Sequence, residues 1–171
     1  MTFCQECGYD WSGPASHAVA TIQALPALLA TLLREAGIGD GDRRLRTRPA
    51  PEVWSPLEYI GHLGDAIDWY SGRVERVLTE QRARLDGFDW DLHTARQAYH
   101  RRRLDDVVAT VNRSAERFSL LTAELPDAAW EREGVGSDGT PRGTAQLARR
   151  AAHEAHHHVH DLRVQLPPAS P

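Results

Sequence analysis

The chain has 171 residues, 41% hydrophobic and 26% charged, which suits one compact domain with its own core and excludes wholesale disorder. Its net charge of −4 excludes a global basic field for nucleic acid or an anionic membrane surface, and no apolar run approaches the length of a membrane span. The first residues lack the basic-then-apolar layout of a signal peptide, so a cytoplasmic protein with no nucleic-acid or membrane partner is expected.

All 20 basic residues are arginine and alanine is abundant, a bias that reads as GC-rich coding rather than as a functional device. In chain order, residues 1–14 come first as a separate segment holding both cysteines, Cys4 and Cys7, in CQECG. A structural zinc site needs two pairs of ligands, so this is half of one. His17 offers part of the remainder, and no fourth ligand is evident from the sequence. Redox chemistry and a mobile tail with two reduced thiols are the other readings.

Four segments then carry helical periodicity. The first spans about Ser16 to Ala36, with Ile22, Leu25, Leu28, Leu29, Leu32 and Leu33 recurring at three and four residues; Pro26 should bend it or mark its start. The second begins sharply, with Ser55 as N-cap, Pro56 at the first helical position and Glu58 closing a capping box. The third is expected from about Thr94 to Glu124, stopped by Pro126, and the fourth from about Thr144 to Gln165. No strand alternation of useful length is visible. The fold class is therefore all-α, a four-helix bundle of up-and-down type over residues 15–166, with at least one long connection and a disordered tail at 167–171.

Five of the 9 histidines fall in the last helix, in AHEAHHHVHDL. At about 100° per residue, Leu147, Ala151, Ala155 and Leu162 define an inward sector with Glu154 and His158 along its edge, while His153 and His157 face nearly opposite. Glu154 and His158, four apart, can present a carboxylate oxygen and an imidazole nitrogen to one ion. The same letters spell HExxH at His153, Glu154 and His157, but the longer zincin form fails because His160 and Arg163 stand where it needs Gly and His. A third ligand must come from another helix. The candidate is His62, on the row Tyr59, His62, Ala66, Trp69 and Arg73, and by periodicity alone it is as compatible with a structural role.

WSPLEYIGHLGD, with Trp54 ahead of His62, together with Glu154-x3-His158-x2-Asp161-Leu162, resembles the DinB-like superfamily of metal-binding four-helix bundles, over about residues 15–165. The resemblance implies His62, Glu154 and His158 as ligands of a divalent ion (Zn, Ni or Fe), with His153 and His157 as the fallback pair. Mycothiol-dependent maleylpyruvate isomerases are similar in having Glu at the first position of the pair. The implied function is a low-molecular-weight-thiol S-transferase or isomerase, with mycothiol or a related thiol and a small electrophile as partners and a homodimer left open. A metal-water hydrolase on the same ligands and a non-catalytic, stress-associated metal-binding bundle are the alternatives. Arg142, Arg149 and Arg150 are candidates for receiving a substrate carboxylate, against the plainer reading of a solvated face. CQECG is expected to be dispensable for the bundle's ion.

Overall fold

The structure, a computed structural model, describes residues 2–169. Its main helices are α1 (Ala15–Glu35), α2 (Pro56–Thr79), α4 (Leu104–Thr122) and α6 (Thr144–Gln165), with the short α3 (Trp90–Gln97) and α5 (Asp127–Trp130) in the connections. The start of α2 follows from its local chemistry: the Ser55 hydroxyl accepts from the Glu58 N–H while Glu58 accepts from the Ser55 N–H, and Pro56 supplies a first residue that needs no partner. The apolar rows of the four long helices meet in one core, including Ile22, Leu25 and Leu29 of α1, Leu57, Leu63 and Ile67 of α2, Phe118 of α4, and Leu147 and Leu162 of α6. By length and composition α1 could cross a membrane, yet its row from Ile22 to Leu33 is buried within this core, against α4 and α6.

Around the bundle the neighbours run α1, α4, α2, α6 and back to α1, so consecutive α1 and α2 meet only across the diagonal. This corrects the up-and-down expectation, in which consecutive helices lie side by side. The link 36–55 is long enough to carry the chain across, and 123–143 does the same between α4 and α6.

The expected third helix is also two elements. Ala98 adopts the left-handed conformation at φ 50°, a single 3-10 turn follows at Tyr99–Arg101, and α4 begins afresh where Asp40 accepts a hydrogen bond from the Leu104 N–H at 2.7 Å. A cap delivered from the first connection decides that start. Tyr99 meanwhile lies on α2, where a Cβ on Gly61 would come within 2.3 Å of its ring.

A small sheet was not expected from the sequence. The strands β1 (Arg84–Leu85) and β2 (Glu133–Gly136) pair in parallel, and β2 pairs antiparallel with β3 (Pro141–Gly143). Strands this short show no legible alternation.

The N-terminal segment folds back over α6: Phe3 and Asp10 form an antiparallel bridge, Tyr9 is buried, and Arg149 donates to the Gly13 carbonyl at 2.7 Å. At the other end Leu166 is buried and the Ala169 N–H donates to the Glu35 carbonyl at 2.9 Å. Residues 170 and 171 of the expected disordered tail lie outside the described residues.

Candidate metal centre

α2 and α6 pack side by side, and their facing rows build the site: Tyr59, His62, Trp69 and Arg73 from α2, Arg150, Glu154, His158 and Asp161 from α6. Residue numbers rise along one row as they fall along the other. His62 meets Glu154, Tyr59 meets His158, and Tyr70 meets Arg150.

His62, Glu154 and His158 each offer a donor atom, all within 4.8 Å of one another. Glu154 Oε2 stands 3.1 Å from His62 Nε2 and 3.3 Å from His158 Nε2. Adjacent ligands of an ion with bonds of about 2.1 Å lie about 3.0–3.4 Å apart, so the spacing fits. His62 is 2% exposed and its Nδ1 has no hydrogen-bond partner among the described residues. His158 is braced from behind, its Nδ1 donating to Asp161 Oδ2 at 2.8 Å, which turns Nε2 toward Glu154.

Charge follows from this packing. Burial depresses the His62 imidazole, and the hydrogen bond to Glu154 does not reverse it, so neutral imidazole is favoured there. Burial would also depress His158, but the carboxylates of Asp161 and Glu154 outweigh it and raise its pKa. Burial opposes ionisation of Glu154, yet His158 and His62 overcome it and hold the carboxyl well below the usual range. A carboxylate and two imidazoles thus converge in a half-enclosed place, a borderline donor set suited to Zn, Ni or Fe.

Aromatic rings wall the site. Trp54 and Trp90 stand 4.8 Å and 4.7 Å from the His62 ring, and Tyr59 stands 5.1 Å from that of His158. Trp90 comes from α3, which is anchored on α2 by His93 Nε2 and the Tyr99 hydroxyl at the Asp65 carboxylate.

Further along the groove lies a cavity of about 220 Å³ lined by Trp69, Tyr70, Arg73, Arg142, Leu147 and Arg150, among others. Arg142 is paired with Asp138 at 2.8 Å, Arg73 donates to the Leu85 and Asp86 carbonyls, and Arg150 lies beside the buried Tyr70 hydroxyl. Of the three arginines singled out in the sequence, Arg142 and Arg150 share this cavity, while Arg149 leaves it for the N-terminal segment. Arg73 was not singled out, although its place on the His62 row was a usable signal.

His153 and His157 take no part in the His62 cluster; they face the N-terminal segment, with Cys4 and Cys7. A third overlapping group, His157, His158 and Asp161, joins the two, and His17, exposed in the first turn of α1, lies outside all three.

Residues 17–160 match the DinB superfamily. No curated protein matches the chain. Among solved structures, the chain is similar to YfiT from Bacillus subtilis, described as a probable metal-dependent hydrolase with an unusual four-helix bundle topology, at 18% identity and TM-score 0.75 over 91% of this chain and 89% of that one. It is also similar to the mycothiol-dependent maleylpyruvate isomerase, at 12% identity and TM-score 0.69 over 92% of this chain. The match spans only 62% of the isomerase. At these identities the likeness establishes the four-helix fold.

Proposed function

The chain belongs to the DinB superfamily, and from that premise we propose a metal-dependent enzyme that brings a low-molecular-weight thiol, mycothiol or a relative, to a small electrophile by S-transfer or isomerisation. The observation that carries this reading is the convergence of His62, Glu154 and His158 beside a cavity lined by three arginines. Three protein donors leave coordination positions for an exogenous ligand, as a reactive site requires. A divalent ion held there lowers the pKa of a thiol or water that it coordinates.

The chain's own residues do the rest. Asp161 holds His158 in the tautomer that presents Nε2, and Glu154 supplies the negative charge that keeps a divalent ion in place. Trp54 and Trp90 narrow access of water to His62. Arg150 and Arg142 offer guanidinium donors to a carboxylate on the thiol or the electrophile, and Arg73, stacked 4.0 Å over Trp69, adds positive potential.

The test is calorimetric titration of mycothiol into untagged protein, metal-loaded and stripped, followed by turnover assays with and without thiol. Binding to the loaded form alone, and turnover that requires thiol, are expected. Turnover without thiol would replace this reading with the hydrolase described for YfiT, and metal that raises the melting temperature with neither binding nor turnover would replace it with a structural bundle. Replacing Arg150 by Met should raise KM for a carboxylate-bearing electrophile several-fold with little change for a neutral one.

A further inference from the structure

The second cluster lies on the outer side of α6, where the CQECG segment and the two remaining HExxH histidines meet. Cys4, Cys7, His153 and His157 each offer a donor atom, and all four donors lie within 4.8 Å of one another. The two ends come from sequence positions that are nearly the full chain apart: Cys4 Sγ stands 3.9 Å from His157 Nδ1 across 153 residues.

Local structure makes the cysteine half a knuckle. The Cys4 N–H donates to the Tyr9 carbonyl and the Gly8 N–H to the Cys4 carbonyl, both at 2.9 Å. Gly8, at φ +75°, takes the left-handed conformation that turns the chain there. The two thiols are unbridged.

The histidine half is set by the helix. Four residues separate His153 from His157, so the two rings stack on one face, 5.2 Å apart. Trp11 lies 4.4 Å from the His153 ring and Tyr9 5.5 Å from it, which clamps the hairpin onto that face. His153 Nε2 is buried with no hydrogen-bond partner among the described residues, a costly state for a polar atom. With its Nδ1 toward Cys4, His157 places Nε2 3.4 Å from Glu6 and 3.7 Å from Asp161, the carboxylate support usual behind a ligating imidazole.

We propose that Cys4, Cys7, His153 and His157 bind a second divalent ion, Zn²⁺, in a closed tetrahedral Cys2His2 site that fastens the N-terminal hairpin to α6. Two thiolates and two imidazoles fill four coordination positions, so this ion is structural and takes no substrate. With bonds of about 2.3 Å to sulfur and about 2.0 Å to nitrogen, tetrahedral S and N ligands lie about 3.5 Å apart, a few tenths of an ångström under the Cys4–His157 separation. Binding expels the two thiol protons to solvent and changes no oxidation state. The site uses none of the donor groups of His62, Glu154 and His158 and does not rest on the reaction proposed for them, although Asp161 stands behind both His157 and His158.

Metal content of untagged full-length protein, grown with zinc, decides the matter together with cobalt substitution. Wild type should hold two ions per chain. The double variant Cys4→Ser/Cys7→Ser, and likewise His153→Ala/His157→Ala, should hold one, and His62→Ala should keep the Cys2His2 ion. Cobalt-loaded wild type and His62→Ala should show thiolate-to-cobalt charge-transfer absorption in the near ultraviolet, and the cysteine and His153/His157 variants should lose it. Two ions in the cysteine variant, or charge-transfer absorption that survives without both histidines, would overturn the proposal. Should those variants fail to fold, wild type alone decides: no thiolate–cobalt band, with both cysteines reacting as free thiols or closing to a disulfide, would overturn it too.

Discussion

Asp161 Oδ2 accepts the Nδ1 proton of His158 at 2.8 Å, and the same oxygen lies 3.7 Å from Nε2 of His157. One carboxylate therefore backs an imidazole of each cluster, and α6 reaches them by spacing alone, since 157, 158 and 161 fall within one turn and a quarter. Replacing Asp161 by Ala removes that acceptor and frees the His158 ring to rotate. In the Cys4→Ser/Cys7→Ser background, which isolates the bundle's own site, zinc affinity should fall about 10–100-fold in competition with a chelator, the cost typical of losing such support. Unchanged affinity would mean that the hydrogen bond does not orient the ring.

In the same background, His62→Ala should abolish tight metal binding. Glu154→Gln should weaken it, because the amide keeps an oxygen but loses the charge. His62 comes from α2 and Glu154 from α6, and their donor atoms meet only because those helices are neighbours. Isothermal titration with Zn²⁺ checks both variants; an undiminished affinity in His62→Ala would remove that residue from the ligand set.

Stability should depend on pH through Glu58. Its carboxylate accepts from Arg48 Nη2 at 2.7 Å and Nε at 2.8 Å, and from the Ser55 N–H at 2.8 Å. Burial opposes ionisation, but Arg48 and Ser55 outweigh it and hold the carboxyl below its ordinary value of 4.5. A folded-state pKa below the unfolded one gives stability that is complete above the unfolded value and is lost as pH falls through the folded value. Glu58→Gln should cost about 1–3 kcal/mol at neutral pH, and wild type and variant should converge in acid. Denaturant unfolding at neutral pH and below pH 4.5 measures this, and an equal gap at both would contradict it.

Gly61 serves the close approach of α2 to Tyr99. A methyl group there would meet the ring at 2.3–2.5 Å, and the ring cannot retreat without releasing its hydroxyl from Asp65. Gly61→Ala should destabilise the protein by about 1–3 kcal/mol despite alanine's better helix propensity. In a Tyr99→Leu background the same change should cost much less, which separates the clash from any general effect of altering α2.

Much of this was legible in the residues themselves. Ser55, Pro56 and Glu58 specify the start of α2 because capping is satisfied within one turn, and the periodicity of α6 separates Glu154 and His158 from His153 and His157 because a helix fixes angles between neighbours whatever it packs against. What each face meets was decided by tertiary structure. The diagonal placement of α1 and α2 follows from what a long link allows, and the break at Ala98 depends on Asp40 reaching the Leu104 N–H. Cys4 and Cys7 looked like half a site because their partners lie on α6, brought to them only when Tyr9 and Trp11 seat the hairpin. Side-chain chemistry and helical phase are short-range and written in the local sequence. Ligand convergence is long-range, and it exists only once packing has chosen which faces touch.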